Sequence, residues 1–153
     1  MFGPPVYEHT QRGWIHWLLY AITVPMLVAF YFNLNDPVAR IALPSLVALF
    51  VALSFMFNQL TVRDESEELV VEFGPLHLFR KRVAYADLTQ VETARSRLID
   101  GWGIHYGPGE GWIWNISGYD CVRLTLKNNR KLRIGTDDPE GLCTFLRTKI
   151  QKA

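Results

Sequence analysis

Charge is spread so unevenly along this chain that its two parts must live in different solvents. Of 31 charged side chains, only Glu8, Arg12, Asp36 and Arg40 precede Asn58; 14 basic and 13 acidic residues follow it. Two uncharged apolar runs separate these from each other and from the rest, WIHWLLYAITVPMLVAFYF at 14–32, between Arg12 and Asp36, and IALPSLVALFVALSFMF at 41–57, after Arg40. As helices rising 1.5 Å per residue they would reach ~28 and ~26 Å, close to the thickness of a bilayer's hydrocarbon core. A buried hairpin in a water-soluble core normally keeps one polar face per helix, whereas both faces of both runs are apolar. The pattern predicts a transmembrane helical hairpin over 14–57, with its turn at Asn33–Arg40 (NLNDPVAR) built from Asn, Asp and Pro.

The ends of the first run carry amphipathic rings. Trp14, Trp17 and Tyr20 sit at one end and Phe30, Tyr31 and Phe32 at the other, as rings mark the two headgroup levels, so Trp14, Trp17 and Tyr31 are expected to touch lipid. Pro25 predicts a kink that a membrane helix tolerates. In the second run Ala42, Ser45, Ala48, Ala52 and Ser54 are small enough to admit another helix, and Ala48 and Ala52 are expected partner contacts. His16 reads two ways, as an interfacial side chain beside Trp14 and Trp17 or as an axial ligand to haem or chlorophyll. Residues 1–13, with Gly3, Pro4, Pro5 and a polar EHTQR stretch, read as an extended arm. The lack of a basic n-region and of a small-residue cleavage site argues against a cleaved signal peptide. Arg12, Arg80, Lys81 and Arg82 place the modest basic excess on the terminal side of both runs, which predicts cytoplasmic termini and an inner-membrane location.

From Asn58 the period changes to that of strands. LTVRD, EELVVEF, LHLFRKRV, TQVETAR, CVRLTLK and KLRIG are short apolar or alternating runs separated by Gly, Pro, Asn and acidic punctuation. Val122, Leu124 and Leu126 share a face and meet Leu132 and Ile134 across an Asn128–Asn129 turn. In TDDPEGLCTFLRTKIQ, Asp138 suits an N-cap, Pro139 the first helical position, and Leu142, Phe145, Leu146 and Ile150 one apolar stripe. Trp102, Trp112 and Trp114 stand with six glycines in 100–120, DGWGIHYGPGEGWIWNISGYD. This stretch predicts an aromatic hairpin whose tryptophans either fill the β core or form a partner-binding face.

The sequence carries little chemistry. His105 and Tyr106 with Asp100, Glu110 and Asp120 can be drawn as an acid–base set, but no nucleophile elbow, phosphate loop or metal-ligand spacing accompanies them. No enzymatic activity, cofactor or metal is therefore expected. Cys121 and Cys143 read as small buried hydrophobes in preference to a disulfide. A net charge of +1 without a basic cluster argues against nucleic acid.

About seven antiparallel strands and a closing helix follow the order of a pleckstrin-homology-like barrel. GWGIHY at Gly101, GWIWNISGYD at Gly111, LTLKNNRKLRIGTDDPEGL at Leu124 and the preceding helix pair together resemble the bacterial pleckstrin-homology-like membrane proteins. The resemblance implies a membrane α + β chain: an arm (1–13), a transmembrane hairpin (14–32 and 41–57), and a pleckstrin-homology-like β barrel or sandwich with a C-terminal helix (58–153). It implies no reaction, cofactor or agreed ligand. Phosphoinositide-binding members carry basic residues in the first hairpin loop, where this chain has DESEE, Asp64 to Glu68, so any anionic headgroup would be held elsewhere; Arg80, Lys81 and Arg82 are the candidates. Two functions follow as expectations: a non-catalytic accessory or scaffold subunit among other integral membrane subunits, or a membrane-anchored module for lipid headgroups or an extended peptide.

Overall fold

In the computed structural model, which describes residues 7–97 and 101–151, the polar stretch EHTQR is a sheet strand, β1 (Glu8–Arg12). It lies antiparallel to β2 (Gln59–Glu65), in register from Glu8 opposite Arg63 to Arg12 opposite Gln59. Of the arm, 8–12 is extended as its residues predict, but it is part of the β domain. A segment with no apolar face joins a sheet because an edge position satisfies its backbone groups while its side chains, the buried Gln11 apart, stay wet. Thr10 and Thr61 share a 2.9 Å hydroxyl contact, and the Gln11 amide donates to the Ser117 carbonyl at 3.1 Å.

Between these paired strands the chain makes two 18-residue helices, α1 (Ile15–Phe32) and α2 (Ala39–Met56), packed antiparallel. The second begins two residues before the apolar run because Asp36 Oδ1 accepts the N–H groups of Val38 (2.7 Å) and Ala39 (3.1 Å), relieving donors a helix start leaves unpaired. Along α1 the less exposed residues His16, Leu19, Thr23 and Met26 recur every three or four positions, while Trp17, Leu18, Val24, Leu27 and Val28 face outward. Each helix is long and apolar enough to cross a membrane, and most of the pair's apolar surface is uncovered.

The β domain consists of two sheets. Strands β1, β2, β3 (Glu68–Phe73) and β4 (Phe79–Ala84) form the first in sequence order. A 3-10 turn at Tyr85–Asp87 leads to the second sheet, ordered β5 (Leu88–Arg95), β8 (Asp120–Leu126), β9 (Lys131–Gly135), β7 (Gly111–Asn115), β6 (Gly103–Gly107). Among the described residues no strand pair joins the sheets, so the expected barrel is not closed. The purely antiparallel expectation also needs correction, since β7 runs parallel to β9, Trp112 lying opposite Leu132 and Trp114 opposite Ile134. The reason is topological. After β7 the chain passes to β8, and the tight β8–β9 hairpin then lays β9 between β8 and β7.

The core lies between the sheets: Leu60, Val62, Leu69 and Val71 from the first, Val122, Leu124, Leu132 and Ile134 from the second. Helix α3 (Pro139–Ile150) inserts Leu142, Cys143 and Leu146, its start capped as expected by Asp138 Oδ1 accepting from Gly141 N at 3.0 Å. Both cysteines are buried and unpaired. The far end of α3 is tied to the first sheet by charge: Lys149 Nζ lies 2.8 Å from Asp64 Oδ2, and the Tyr85 hydroxyl donates to Asp64 Oδ1 at 2.6 Å. Burial and this carboxylate together push the Tyr85 phenol well above its usual range.

Because removing one partner of a buried pair strands the other charge, Lys149→Met should lower stability by about 3–5 kcal/mol. A chemical denaturation midpoint in detergent reads this directly. Replacing both partners, Asp64→Leu with Lys149→Met, should recover most of the loss.

Candidate functional site

The aromatic hairpin forms as the glycines predict, with Ile104 opposite Trp114 and Tyr106 opposite Trp112 across β6 and β7. Its three tryptophans have different surroundings. Trp114, 7% exposed, belongs to the core; Trp102 precedes β6 and meets Trp14 of the helix pair edge-on at 5.8 Å; Trp112, 48% exposed, stands at the hairpin tip against Tyr106. The hairpin thus runs from the helix pair, where Gly103 lies beneath Phe57, to a tip ~13 Å further out at 3.3 Å per residue. Gly111 cannot be replaced freely: its φ is +75°, and a Cβ there would collide with the Lys131 carbonyl.

The tip is also held electrostatically, by Glu110 reaching Arg133 and, at 2.9 Å, Arg123. Burial works to raise the Glu110 carboxyl, but the two guanidiniums outweigh it and hold the group below the usual carboxylate range. The acid–base set read from the sequence does not assemble. His105 and Tyr106 are neighbours on a strand and point to opposite faces, Glu110 is committed to arginines, Asp120 lies 3.8 Å from Arg95, and Asp100 is outside the described residues. No group of three or more His, Cys, Asp or Glu that could hold a metal occurs among the described residues.

The basic trio expected to touch lipid is divided by the same strand alternation. Arg80 pairs with Glu72, and Arg82 with Glu68 and, at 3.6 Å, Glu65. Lys81 sits opposite Val71, on the core side of the sheet. The acidic DESEE segment is likewise mostly neutralised, by Lys149 at Asp64, Arg63 at Glu65 and Arg82 at Glu68, leaving Ser66 and Glu67 at the turn.

Trp14, Trp17 and Tyr31 are exposed on the helix pair, and Ala48 and Ala52 lie with Ser45 on an outward stripe of α2. His16 lies one residue inside the start of α1. It is 9% exposed, with its ring 4.9 Å from Trp17 and 6.2 Å from Tyr20 on the same helix.

Two features escaped sequence reasoning. The first is the β3–β4 loop, whose GPLHLF residues resemble the start of a strand. Glu72, fully buried, is held by Arg63 at 3.3 Å, Arg80 and His77 Nδ1 at 2.7 Å. His77 takes a left-handed φ of +52°, and Leu76 and Leu78 are splayed outward, 65% and 71% exposed. With Pro75 they adjoin Phe55 and Met56 at the β-domain end of α2. The exposed apolar pair flanking a histidine was the available signal. The second is a cleft of about 400 Å³ near the hairpin tip, bordered by Lys81, Tyr106, Trp112, Leu126, Arg130 and Lys131. Its residues come from β4, β6–β7 and β8–β9, and no local pattern brings those together.

No protein-family model matches the chain, and no curated protein matches it.

The Glu110 geometry fixes an acid response. A carboxyl whose folded value is depressed contributes fully above its ordinary value of about 4.5 and loses that contribution as pH falls through the lower folded value. The fluorine resonance of Trp112 in 5-fluorotryptophan-labelled protein should stay constant from neutral pH to that ordinary value and move below it, and Glu110→Gln should abolish the step.

Proposed function

We propose that this chain is a non-catalytic integral membrane subunit of the bacterial inner membrane. Its pleckstrin-homology-like β domain, on the cytoplasmic side, holds a partner protein at the membrane surface within a larger membrane complex. The observation that carries this reading is the absence of any linker between helices and domain. β1 runs into α1 and α2 into β2, the two strands are paired, and Gly13 N donates to Asn58 O at 2.9 Å where they meet the helices. A domain so fixed presents its surfaces at set heights and angles from the bilayer, as a scaffold must, and a tethered sensor need not.

Two further observations support it. The Ser45, Ala48 and Ala52 stripe faces away from α1 and suits close approach by a helix of another subunit. Leu76 and Leu78, beside Phe55 and Met56, suit insertion at the interface where Trp14 and Trp102 also meet, which would seat the domain on the bilayer. The alternative, a headgroup-binding module, has less support because Arg80 and Arg82 are already occupied by glutamates.

Purification of the tagged chain in mild detergent, with size-exclusion chromatography and mass spectrometry, tests the subunit reading. A stoichiometric complex is expected, and it should be lost in Ala48→Phe/Ala52→Phe, whose new bulk points away from α1. Elution of the wild type as a bare monomer or homodimer would sink the reading. The seating has its own measurement. A fluorophore on Leu78→Cys should be quenched strongly by brominated lipid and one on Asn129→Cys hardly at all, the native cysteines being buried.

A further inference from the structure

We infer that the cleft between the sheets receives an extended acidic segment of the partner protein, with an apolar side chain on its Leu126–Leu132 floor and carboxylates at its basic rim. The inference rests on the reading that the β domain holds a partner, and it specifies the chemistry of what is held.

Charge complementarity carries it first. Lys81, Arg130 and Lys131 border the cleft, and among the described residues no acidic one does. Several of the domain's other cations meet carboxylates, as at Arg63, Arg80, Arg82, Arg123 and Lys149. Lys81 and Arg130 have no carboxylate within ion-pair distance among the described residues, and Lys131 Nζ only donates to the Gly109 carbonyl at 3.1 Å. Lys81 is the most telling of the three. Its register opposite Val71 points it to the core side, so an ammonium stands where the strand pattern calls for an apolar residue, and it is accommodated because the sheets part there. An uncompensated cation in a partly desolvated cleft is a ready carboxylate site.

Shape selects an extended peptide over a compact anion. Lys81 is on β4 and Tyr106 on β6, and each strand is the free edge of its sheet, so backbone donors and acceptors border the cleft on two sides. A strand laid along either edge would gain main-chain hydrogen bonds and send alternate side chains into the cleft and out of it. Tyr106 and Trp112, T-stacked at 5.9 Å, form an aromatic wall for the inward apolar residue. Position disfavours lipid of the membrane that holds the chain, because the cleft lies at the hairpin end turned away from α1 and α2.

The full chain in phosphatidylcholine nanodiscs, titrated with a fluorescein-labelled octapeptide alternating Glu and Leu, provides the test. Saturable binding is expected. It should weaken at least about tenfold in Lys81→Glu and in Arg130→Glu, the latter on an exposed turn that cannot disturb the core, and remain unchanged in Leu78→Ser. The matched Lys–Leu octapeptide should not bind. Equal binding of both peptides, no saturable binding, or indifference to both charge reversals would overturn the inference. So would recruitment of the nanodiscs to phosphatidylserine vesicles that Lys81→Glu and Arg130→Glu abolish while the acidic peptide fails to bind, since the cleft would then serve an apposed membrane. The subunit reading fails separately. A co-purifying complex unaffected by Lys81→Glu and Arg130→Glu would overturn the cleft assignment and leave that reading intact, whereas peptide binding by a chain that purifies alone would do the reverse.

Discussion

The pairing of β1 with β2 is the constraint from which the rest of the molecule follows. Five residues of polar sequence, opposite Gln59–Arg63, turn what would be two helices on a flexible stalk into a helical insertion within a β ribbon. Both ends of the helix pair are thereby clamped to one sheet. Glycine makes the junction possible: at Gly13 a Cβ would meet the Phe57 carbonyl and Ile116, and at Gly74 it would press on the Met56 backbone. Strand pairing at both chain ends of the helix pair thus sets the heights of the β3–β4 loop and of the hairpin tip relative to α1 and α2.

Buried and half-buried carboxylates then fix the pieces that hydrophobic burial alone would leave loose. Asp64 holds the end of α3, Glu72 shapes the β3–β4 loop through His77, and Glu110 pins the hairpin tip to Arg123 and Arg133. Each adds a directional charge pair that specifies geometry beyond what packing alone supplies. Several cations are committed in this way, whereas Lys81, Arg130 and Lys131 gather at the cleft with no carboxylate among its described lining residues. The chain's near-zero net charge conceals that asymmetry.

Much of this was legible in the residues. The spacing of the charges determined the two long apolar helices; alternation determined that Val122, Leu124, Leu132 and Ile134 share a face; and Asp138 with Pro139 determined where α3 begins, because each signal is local and acts through backbone geometry or the choice of solvent. The aromatic hairpin was legible in its glycines, but the separate fates of Trp102, Trp112 and Trp114 were not. Tryptophan suits a core, a helix contact or an exposed wall equally, and only the position of the opposite sheet distinguishes them.

Tertiary structure decided what depends on partners far apart in sequence. That EHTQR is a strand was decided by the unpaired edge of β2, some fifty residues later. That β9 lies parallel to β7 was decided by the tight β8–β9 turn, and the division of Arg80, Lys81 and Arg82 by which face of β4 met the core. Local sequence fixes a residue's backbone preference and its affinity for water, but a free edge, a sheet face and a gap between sheets exist only once distant segments have docked. The helices and the strand alternation therefore belong to the sequence, and the clamp, the loop and the cleft belong to the fold.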